Sequence, residues 1–233
     1  MILLNLLFFS IVSFANFEPP TLSRPVMDQA GMLKPAEAQR LNQLLMQVHN
    51  SGGPQFAILT VESLNGSSLF DASFKTAEQW QLGTEKEDNG LLIFIAKKER
   101  KIRIDVGQGL EGDIPDIIAN RAIDKIMTPY FKKGQFSDGI YLATIALLKR
   151  AAPNLNLKQR TPNLSSEKRR TSSSSIFDII FLLIGLMVFI FNPRLFIFGM
   201  LLGGGRGGFG GRGGGGFSGG GGGFSGGGAS GGW

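Results

Sequence analysis

The sequence lacks cysteine altogether and contains a single histidine, His49, among its 233 residues. Without cysteine the chain has no disulfide, no thiolate metal site and no thiol nucleophile, which excludes several classes of enzyme. Export is still compatible with this composition, because a domain with an adequate apolar core needs no covalent cross-link. His49 has no carboxylate or second histidine at ligand spacing, so we interpret it as a surface residue.

Acidic residues are in the minority, with 18 Asp and Glu against 24 Lys and Arg and a formal net charge of +6. Such a balance can indicate nucleic acid or anionic lipid as a partner. The excess lies mainly in residues 151–175 and beyond, whereas residues 24–150 are nearly neutral. Arg206 and Arg212 stand in RGG-like pieces, but two arginines are few for an RNA-binding tail. We therefore predict no nucleic-acid partner.

The apolar run of residues 1–15 ends in Ser13-Phe14-Ala15, whose small residues suit signal peptidase. We predict a signal peptide cleaved after Ala15. The alternative is an uncleaved N-terminal anchor, since the run has no Lys or Arg near its start. Both interpretations send the following domain across a membrane. Residues 16–25 contain three prolines and predict an extended lead into that domain.

Residues 26–150 carry the periodic patterns of one folded domain. Their predicted order is helix, strand, helix, strand, strand, helix, helix, with strands at residues 55–62, 90–96 and 101–106. This order predicts an α/β (α+β) fold, in which a small mixed β-sheet is sandwiched by helices. The last strand alternates apolar residues with Arg103 and Asp105, so we expect one buried face and one face that presents charge.

Three aromatic residues, Phe70, Phe74 and Trp80, recur at helical spacing and are predicted to lie in the core. Asp113 is the candidate N-cap of a helix that begins near residue 114.

Beyond the domain the composition changes twice. Residues 151–175 form a polar, basic linker, and residues 176–202 are apolar except for an interruption at 192–194. We interpret residues 176–202 as a single tilted transmembrane segment, with a re-entrant hairpin turning at Asn192-Pro193 as the alternative. The glycine-rich residues 203–233 predict a disordered, low-complexity tail. The expected location is the cell membrane, single-pass, with the domain outside the cytoplasm, periplasmic or extracellular.

The domain resembles a known family through four short motifs. They are Val26-Met27-Asp28-Gln29-Ala30-Gly31-Met32-Leu33, Trp80-Gln81-Leu82-Gly83, Asp88-Asn89-Gly90, and Arg103-Ile104-Asp105-Val106-Gly107-Gln108-Gly109-Leu110-Glu111-Gly112. In order and spacing they are similar to the signature of the TPM-domain family, which includes thylakoid-lumen and photosystem II repair proteins and YgcG-like bacterial membrane proteins. The resemblance covers about residues 24–150. It implies calcium binding and, for plant members, an acid-phosphatase activity.

Two positions depart from the family pattern. Gln108 stands where the family usually has Tyr, and Asp105 where it usually has Glu. If the carboxylate at position 105 touches a metal ion or a substrate, the shorter side chain changes the affinity. If it only pairs with Arg103 or a lysine, little follows. For Arg103 we favour an ion-paired strand residue on an exposed face over a catalytic role.

Acidic and amide side chains in these motifs are candidate ligands for Ca²⁺, which binds carboxylate, carbonyl and amide oxygens. The candidate metal ligands are Asp28, Asp88, Asn89, Asp105, Glu111 and Asp113. Each also has a structural interpretation. Asp88-Asn89-Gly90 can be an ordinary turn, Asp113 a helix cap, and Asp28 a brace for the first helix.

We expect a membrane-anchored accessory module that assists a membrane or envelope complex through a protein partner. The alternative is a metal-dependent phosphatase acting on phosphate monoesters. A carboxylate cluster without His, Cys or a phosphate-binding loop is only a weak signal for an enzyme.

Overall fold

The computed structural model describes residues 16–153 and 217–233. The predicted signal peptide, residues 1–15, lies outside the described residues. So do nearly all of the linker, the predicted transmembrane segment at 176–202 and the tail up to residue 216. Within the two described ranges no helix combines the length and hydrophobicity that a membrane crossing requires.

Five strands and five α-helices make up the described structure. The strands are β1 (Val26–Asp28), β2 (Gln55–Val61), β3 (Gly90–Ala96), β4 (Lys101–Val106) and β5 (Gly228–Gly232). The helices are α1 (Pro35–Asn50), α2 (Leu69–Trp80), α3 (Asp116–Arg121), α4 (Thr128–Phe131) and α5 (Phe136–Ala151). A π-helical stretch, Ala122–Met127, joins α3 to α4.

The strands form one mixed sheet in the order β1-β2-β3-β4-β5. β1, β2 and β3 are parallel, and β4 runs antiparallel to both β3 and β5. The prediction of a small mixed sheet sandwiched by helices is confirmed. It omitted β1, which has only three residues, and β5, which comes from the glycine-rich tail.

Both faces of the sheet are buried because helices cover each of them. On one face Ala57, Leu59, Leu92 and Phe94 pack against α2. Alternation along the strands places Ile58, Ile93 and Ile104 on the opposite face, where α1 and α5 supply Leu41, Leu45, Ile140 and Leu147. β3 is buried at all seven positions, as expected from its uninterrupted apolar sequence.

The proline-rich lead, residues 16–25, packs on the α2 side of the domain. Phe17 is buried and its ring meets that of Phe94 edge-on at 5.5 Å. The indole nitrogen of Trp80 donates to the carbonyl oxygen of Pro20 at 2.7 Å. The lead is therefore part of the folded unit that begins the described chain.

Three side-chain expectations need correction. Phe70 is 47% exposed, because the inward face of α2 is formed by Leu69, Ala72 and their helical neighbours instead. Arg103 and Asp105 are buried, since α2 and residues 217–233 cover the face of β4 that was expected to present charge. α3 begins at Asp116 with Pro115 at its N-cap, so Asp113 does not cap it.

The largest correction concerns the tail. Residues 217–233 are not a disordered extension, because they pack along the domain and end in β5. We call residues 217–233 the docked segment.

Candidate functional site

The docked segment binds the free edge of β4. β5 pairs with β4 in register from Asp105 opposite Gly228 to Lys101 opposite Gly232. The ladder continues at both ends, where the Val106 amide donates to Gly227 and the Trp233 amide to Arg100, each at 3.2 Å. By the alternation of an antiparallel ladder, the amides of Ile102 and Ile104 also point towards β5. An edge that would otherwise expose main-chain donors and acceptors is thus paired.

Glycine is required where the docked segment meets the loop that follows α2. A Cβ on Gly222 would overlap the carbonyl oxygen of Leu82. At the next residue, Gly223, a Cβ would lie 3.5 Å from Asp88 Oδ1, which is an ordinary contact. Backbone therefore lies directly on backbone at Gly222. Glycine is therefore needed at this position for the segment to bind.

Three carboxylates around this edge accept hydrogen bonds from the docked segment. Asp88 Oδ1 accepts from the Gly223 amide at 2.6 Å, and Asp116 Oδ1 from the Gly228 amide at 2.8 Å. Glu111 Oε1 accepts from the Ser225 hydroxyl at 2.6 Å. Asp88 lies in the loop before β3, Glu111 in the loop after β4, and Asp116 in the first turn of α3. Their shared partner is an extended peptide.

Arg103 joins the docked segment to the interior of the domain. Its Nε donates to Asp105 Oδ1 at 2.6 Å, and its Nη1 donates to the Ser230 hydroxyl at 2.9 Å. The Nη2 reaches the Gly226 carbonyl oxygen at 3.4 Å, and the guanidinium lies 4.6 Å from the centre of the Phe70 ring. The fork of donors on arginine allows one side chain to hold both partners.

Asp105 is almost fully buried, with 1% of its surface exposed. Burial raises the pKa of its carboxyl above the usual range, although the charge of Arg103 acts in the opposite direction. In the part of the chain that the structure describes, Asp105 Oδ2 and the Ser73 hydroxyl have no partner at hydrogen-bond geometry. Of the two roles considered for position 105, pairing with Arg103 is the one observed.

Aromatic residues anchor the two ends of the docked segment. Phe217 is buried, and its ring meets that of His49 edge-on at 5.6 Å. Trp233 packs edge-on against Phe131 at 4.8 Å and against Phe136 at 6.0 Å. We define the tail-docking surface as the β4 edge with Arg103, the three carboxylates that bind the segment, and the two phenylalanines that contact Trp233. Its members are Lys101–Val106, Asp88, Glu111, Asp116, Phe131 and Phe136.

The structure does not bring the six predicted metal ligands together. Asp28 lies at the carboxyl end of β1, at the opposite end of the sheet from Asp88 and Asn89, which precede β3. Its two oxygens accept from the amides of Met32 and Leu33, each at 2.9 Å, so it braces the turn before α1.

The other candidates are separated as well. Asn89 Oδ1 accepts from the Thr84 amide at 3.2 Å, and Asp105 lies within β4. Glu111 and Asp113 are exposed in the loop that follows β4. Among residues 16–153 and 217–233, no group of three or more His, Cys, Asp or Glu side chains is arranged to hold a metal ion. The described donor set does not fit a single calcium site.

Sequence reasoning missed Asp116 and the whole docked segment. Asp116 lies in the first turn of α3, where an acidic residue is common for reasons of helix stability alone. Within the docked segment, the available sequence signal for packing was a set of apolar residues that interrupt the glycines. They are Phe217, Phe224, Ala229 and Trp233. Phe224 packs on the α2 side of the core.

Comparison with protein families shows to which family this chain belongs. A family model described as the TPM domain matches residues 26–150, which is more than half of the sequence. The chain belongs to the TPM-domain family. The TPM domain therefore comprises β1 to β4 and all five helices apart from the end of α5, and the docked segment adds β5 to it.

A solved structure agrees with this assignment. The TPM domain is similar to the N-terminal domain of a protein from P. gingivalis, solved by solution NMR, with 34% identity and a TM-score of 0.52 over 57% of this chain and 85% of that one. The N-terminal domain of the cg2496 protein from Corynebacterium glutamicum shows 12% identity and a TM-score of 0.42 over 65% and 93%. The BA42 protein from Bizionia argentinensis shows 18% identity and 0.43 over 53% and 84%. No protein of curated function matches the chain.

Proposed function

We propose that this TPM-domain protein is a membrane-anchored extracytoplasmic interaction module that binds an extended, glycine-rich peptide segment at its tail-docking surface. The observation that carries the proposal is the pairing of the docked segment with the β4 edge, with Asp88, Asp116 and Arg103 directed at its main chain. The protein partner of a membrane or envelope complex would present a segment of this kind.

The chemistry of the site supports a peptide ligand. Strand addition uses main-chain hydrogen bonds for affinity and side-chain contacts at alternate positions for specificity. Here the specific contacts are the hydroxyl of Ser230 on Arg103, the close approach at Gly222 and the ring of Trp233 against Phe131 and Phe136. These contacts define a ligand with small residues along its length and an aromatic residue at the end of the strand.

The membrane part of the proposal rests on sequence. Residues 1–15 have the pattern of a signal peptide, and residues 176–202 have the hydrophobicity of a membrane segment. Because the chain has no cysteine, a single Asn65→Cys variant can be treated in intact cells with a membrane-impermeant maleimide. Labelling without permeabilisation is the expected result. Labelling only after lysis would place the domain in the cytoplasm and refute this part.

Peptide binding can be measured directly. A chain ending at residue 216, reconstituted in lipid nanodiscs, would be titrated with a fluorescent peptide of residues 217–233. We expect saturable binding. A Gly222→Ala peptide should bind at least about fivefold more weakly, because a methyl group forced against backbone costs about 1–3 kcal/mol.

The matched control is a Gly223→Ala peptide, which keeps the amide that donates to Asp88 and has room for a methyl group. It should bind like the original peptide. Absence of saturable binding, or equal binding by the Gly222→Ala peptide, would contradict strand addition at this surface.

Calcium binding stays a secondary proposal, because the carboxylates of exposed Glu111 and half-buried Asp88 could exchange the docked segment for a cation. No specific observation in the described residues favours the phosphatase. One assay separates the peptide-binding module from the phosphatase. It measures hydrolysis of a generic aryl phosphate by the full chain and by an Asp88→Ala variant, with and without Ca²⁺. Turnover that needs metal and Asp88 would favour the enzyme.

A further inference from the structure

The docked segment is separable from the core of the TPM domain. Among the buried hydrophobic residues of the described ranges, only Phe217 and Ala229 belong to the segment. Phe224 and Trp233 are only half-buried, and β5 is held by main-chain hydrogen bonds at the edge of the sheet. Elements with little buried apolar area open locally at a free energy well below that of global unfolding. Release of the segment should therefore leave the domain folded.

The stretch of chain between α5 and the docked segment is long enough for the segment to bind a different molecule. Pro153 lines the same depression as Ser51 and Gly53 at the end of α1, and Phe217 packs on His49 in the last turn of that helix. A short loop could join two points at the same end of α1. The chain instead has residues 154–216 between them, and the 36 of these that lie outside the predicted membrane segment have a reach of up to ~120 Å when extended. A neighbouring copy lies within that reach.

A copy whose own segment is released has two complementary surfaces. One is the open β4 edge, whose unpaired donors and acceptors form a template for another strand. The other is a free segment that already fits such an edge. Exchange of an identical element between copies recreates every contact of the closed form at low cost.

We propose that residues 217–233 of one copy also occupy the tail-docking surface of a second copy of this chain. This inference rests on the proposed function, since it names a second copy as the partner. Each such contact joins a segment on one molecule to an edge on another. Because the two surfaces in the contact differ, the contact is heterologous. Such contacts link copies in one membrane head to tail, into closed rings or open rows.

The test uses full-length chains and the absence of native cysteine. Lys101 and Ser230 are diagonal neighbours on one face of the β4–β5 pair, both exposed, at a Cβ separation of roughly 6–8 Å. Copies carrying Lys101→Cys and copies carrying Ser230→Cys, with different tags, are reconstituted together and treated with a short bifunctional thiol reagent. A cross-linked product that carries both tags is expected.

Two further samples make the result decisive. The double variant Lys101→Cys with Ser230→Cys, at high dilution in detergent, should form an internal cross-link. Arg40→Cys, exposed on α1, replaces Lys101→Cys to measure random collision. The mixed product should exceed that background several-fold and should fall when Gly222→Ala, but not Gly223→Ala, is added to the Ser230→Cys copy.

Each remaining outcome has one meaning. An internal cross-link without mixed product above background would overturn exchange between copies and leave the proposed peptide site intact. Failure of both cross-links would overturn the docking itself and with it the proposed function.

Discussion

The TPM domain and its docked segment are held by opposite means. The domain is built from large apolar side chains, with β3 buried at every position and Phe94 completely enclosed between the sheet and α2. The docked segment consists mostly of glycine. It is held largely through its main chain, by β4, Asp88, Asp116 and Arg103.

This difference teaches that the two parts respond to opposite kinds of substitution. Removing side-chain volume weakens the domain, because packing and apolar burial stabilise it. Adding side-chain volume weakens docking, because the segment lies against backbone. Substitutions can therefore separate folding from docking.

The largest effect should come from the core. Phe94→Ala removes a fully buried ring and should lower the free energy of unfolding of the full chain by about 3–5 kcal/mol. Chemical denaturation measures it. Ile117→Ala, at a side chain that is 57% exposed, is the control and should change stability by no more than about 0.5 kcal/mol. A loss below about 1 kcal/mol for Phe94→Ala would contradict the described packing.

Arg103→Lys should weaken docking more than folding. Lysine keeps a positive charge beside Asp105 but lacks the fork that also reaches Ser230 and Gly226. Loss of two hydrogen bonds corresponds to about 1–3 kcal/mol, or roughly 5- to 150-fold faster hydrogen exchange of the amides of Ile102, Ile104 and Val106. Arg121→Lys, exposed on α3, should leave exchange unchanged. Equal protection in both variants would remove Arg103 from the docking contacts.

Asp105 predicts a pH dependence of unusual sign for an acidic residue. Because folding raises the pKa of its carboxyl, the folded state binds the proton more tightly than the unfolded state. Its contribution to stability is greatest below the unfolded value, 3.8, and is lost as pH rises through the higher folded value. Relative to Asp105→Asn, the original chain should lose stability as pH rises from about 3 towards neutral. Melting of both chains across this range checks it.

Glu99 gives the opposite case. Burial raises the pKa of its carboxyl, but hydrogen bonds from the Leu64 amide and the Ser63 hydroxyl outweigh burial and lower it overall. Its contribution is present above the unfolded value of 4.5 and is lost as pH falls through the lower folded value. Relative to Glu99→Gln, the original chain should gain stability as pH rises. The same slope for both comparisons would refute the assignment.

Calcium should give the smallest effect. Any cation on Asp88 or Glu111 competes with Gly223 and Ser225 for the same oxygens. The rise in melting temperature on adding Ca²⁺ should therefore be larger for a chain ending at residue 216 than for the full chain. An equal or larger rise for the full chain would show that the segment and calcium do not compete.

The domain was predictable because its signals are local. The continuous apolar run of β3, the helical spacing of Leu41, Leu45 and Val48, and the turn at Lys97–Arg100 each specify an element within a few residues. The burial of Arg103 was not predictable. It depends on two covers, α2 and the docked segment, that come from distant parts of the sequence.

The docking of residues 217–233 could not be predicted from the sequence, for a physical reason. Glycine is depleted in strands because it loses much conformational freedom and contributes no side-chain packing, so a glycine-rich sequence predicts a flexible chain. Pairing at β5 depends on the edge that receives it. Two of the residues predicted as calcium ligands, Asp88 and Glu111, contact the docked segment in the structure. Asp116, which was not among the predicted residues, also contacts it.

The position of β5 also bears on the route of the chain through a membrane. Residues 16–153 and 217–233 form one folded unit, so they occupy the same aqueous compartment. A path that crosses the bilayer once between them would separate the two strands β4 and β5.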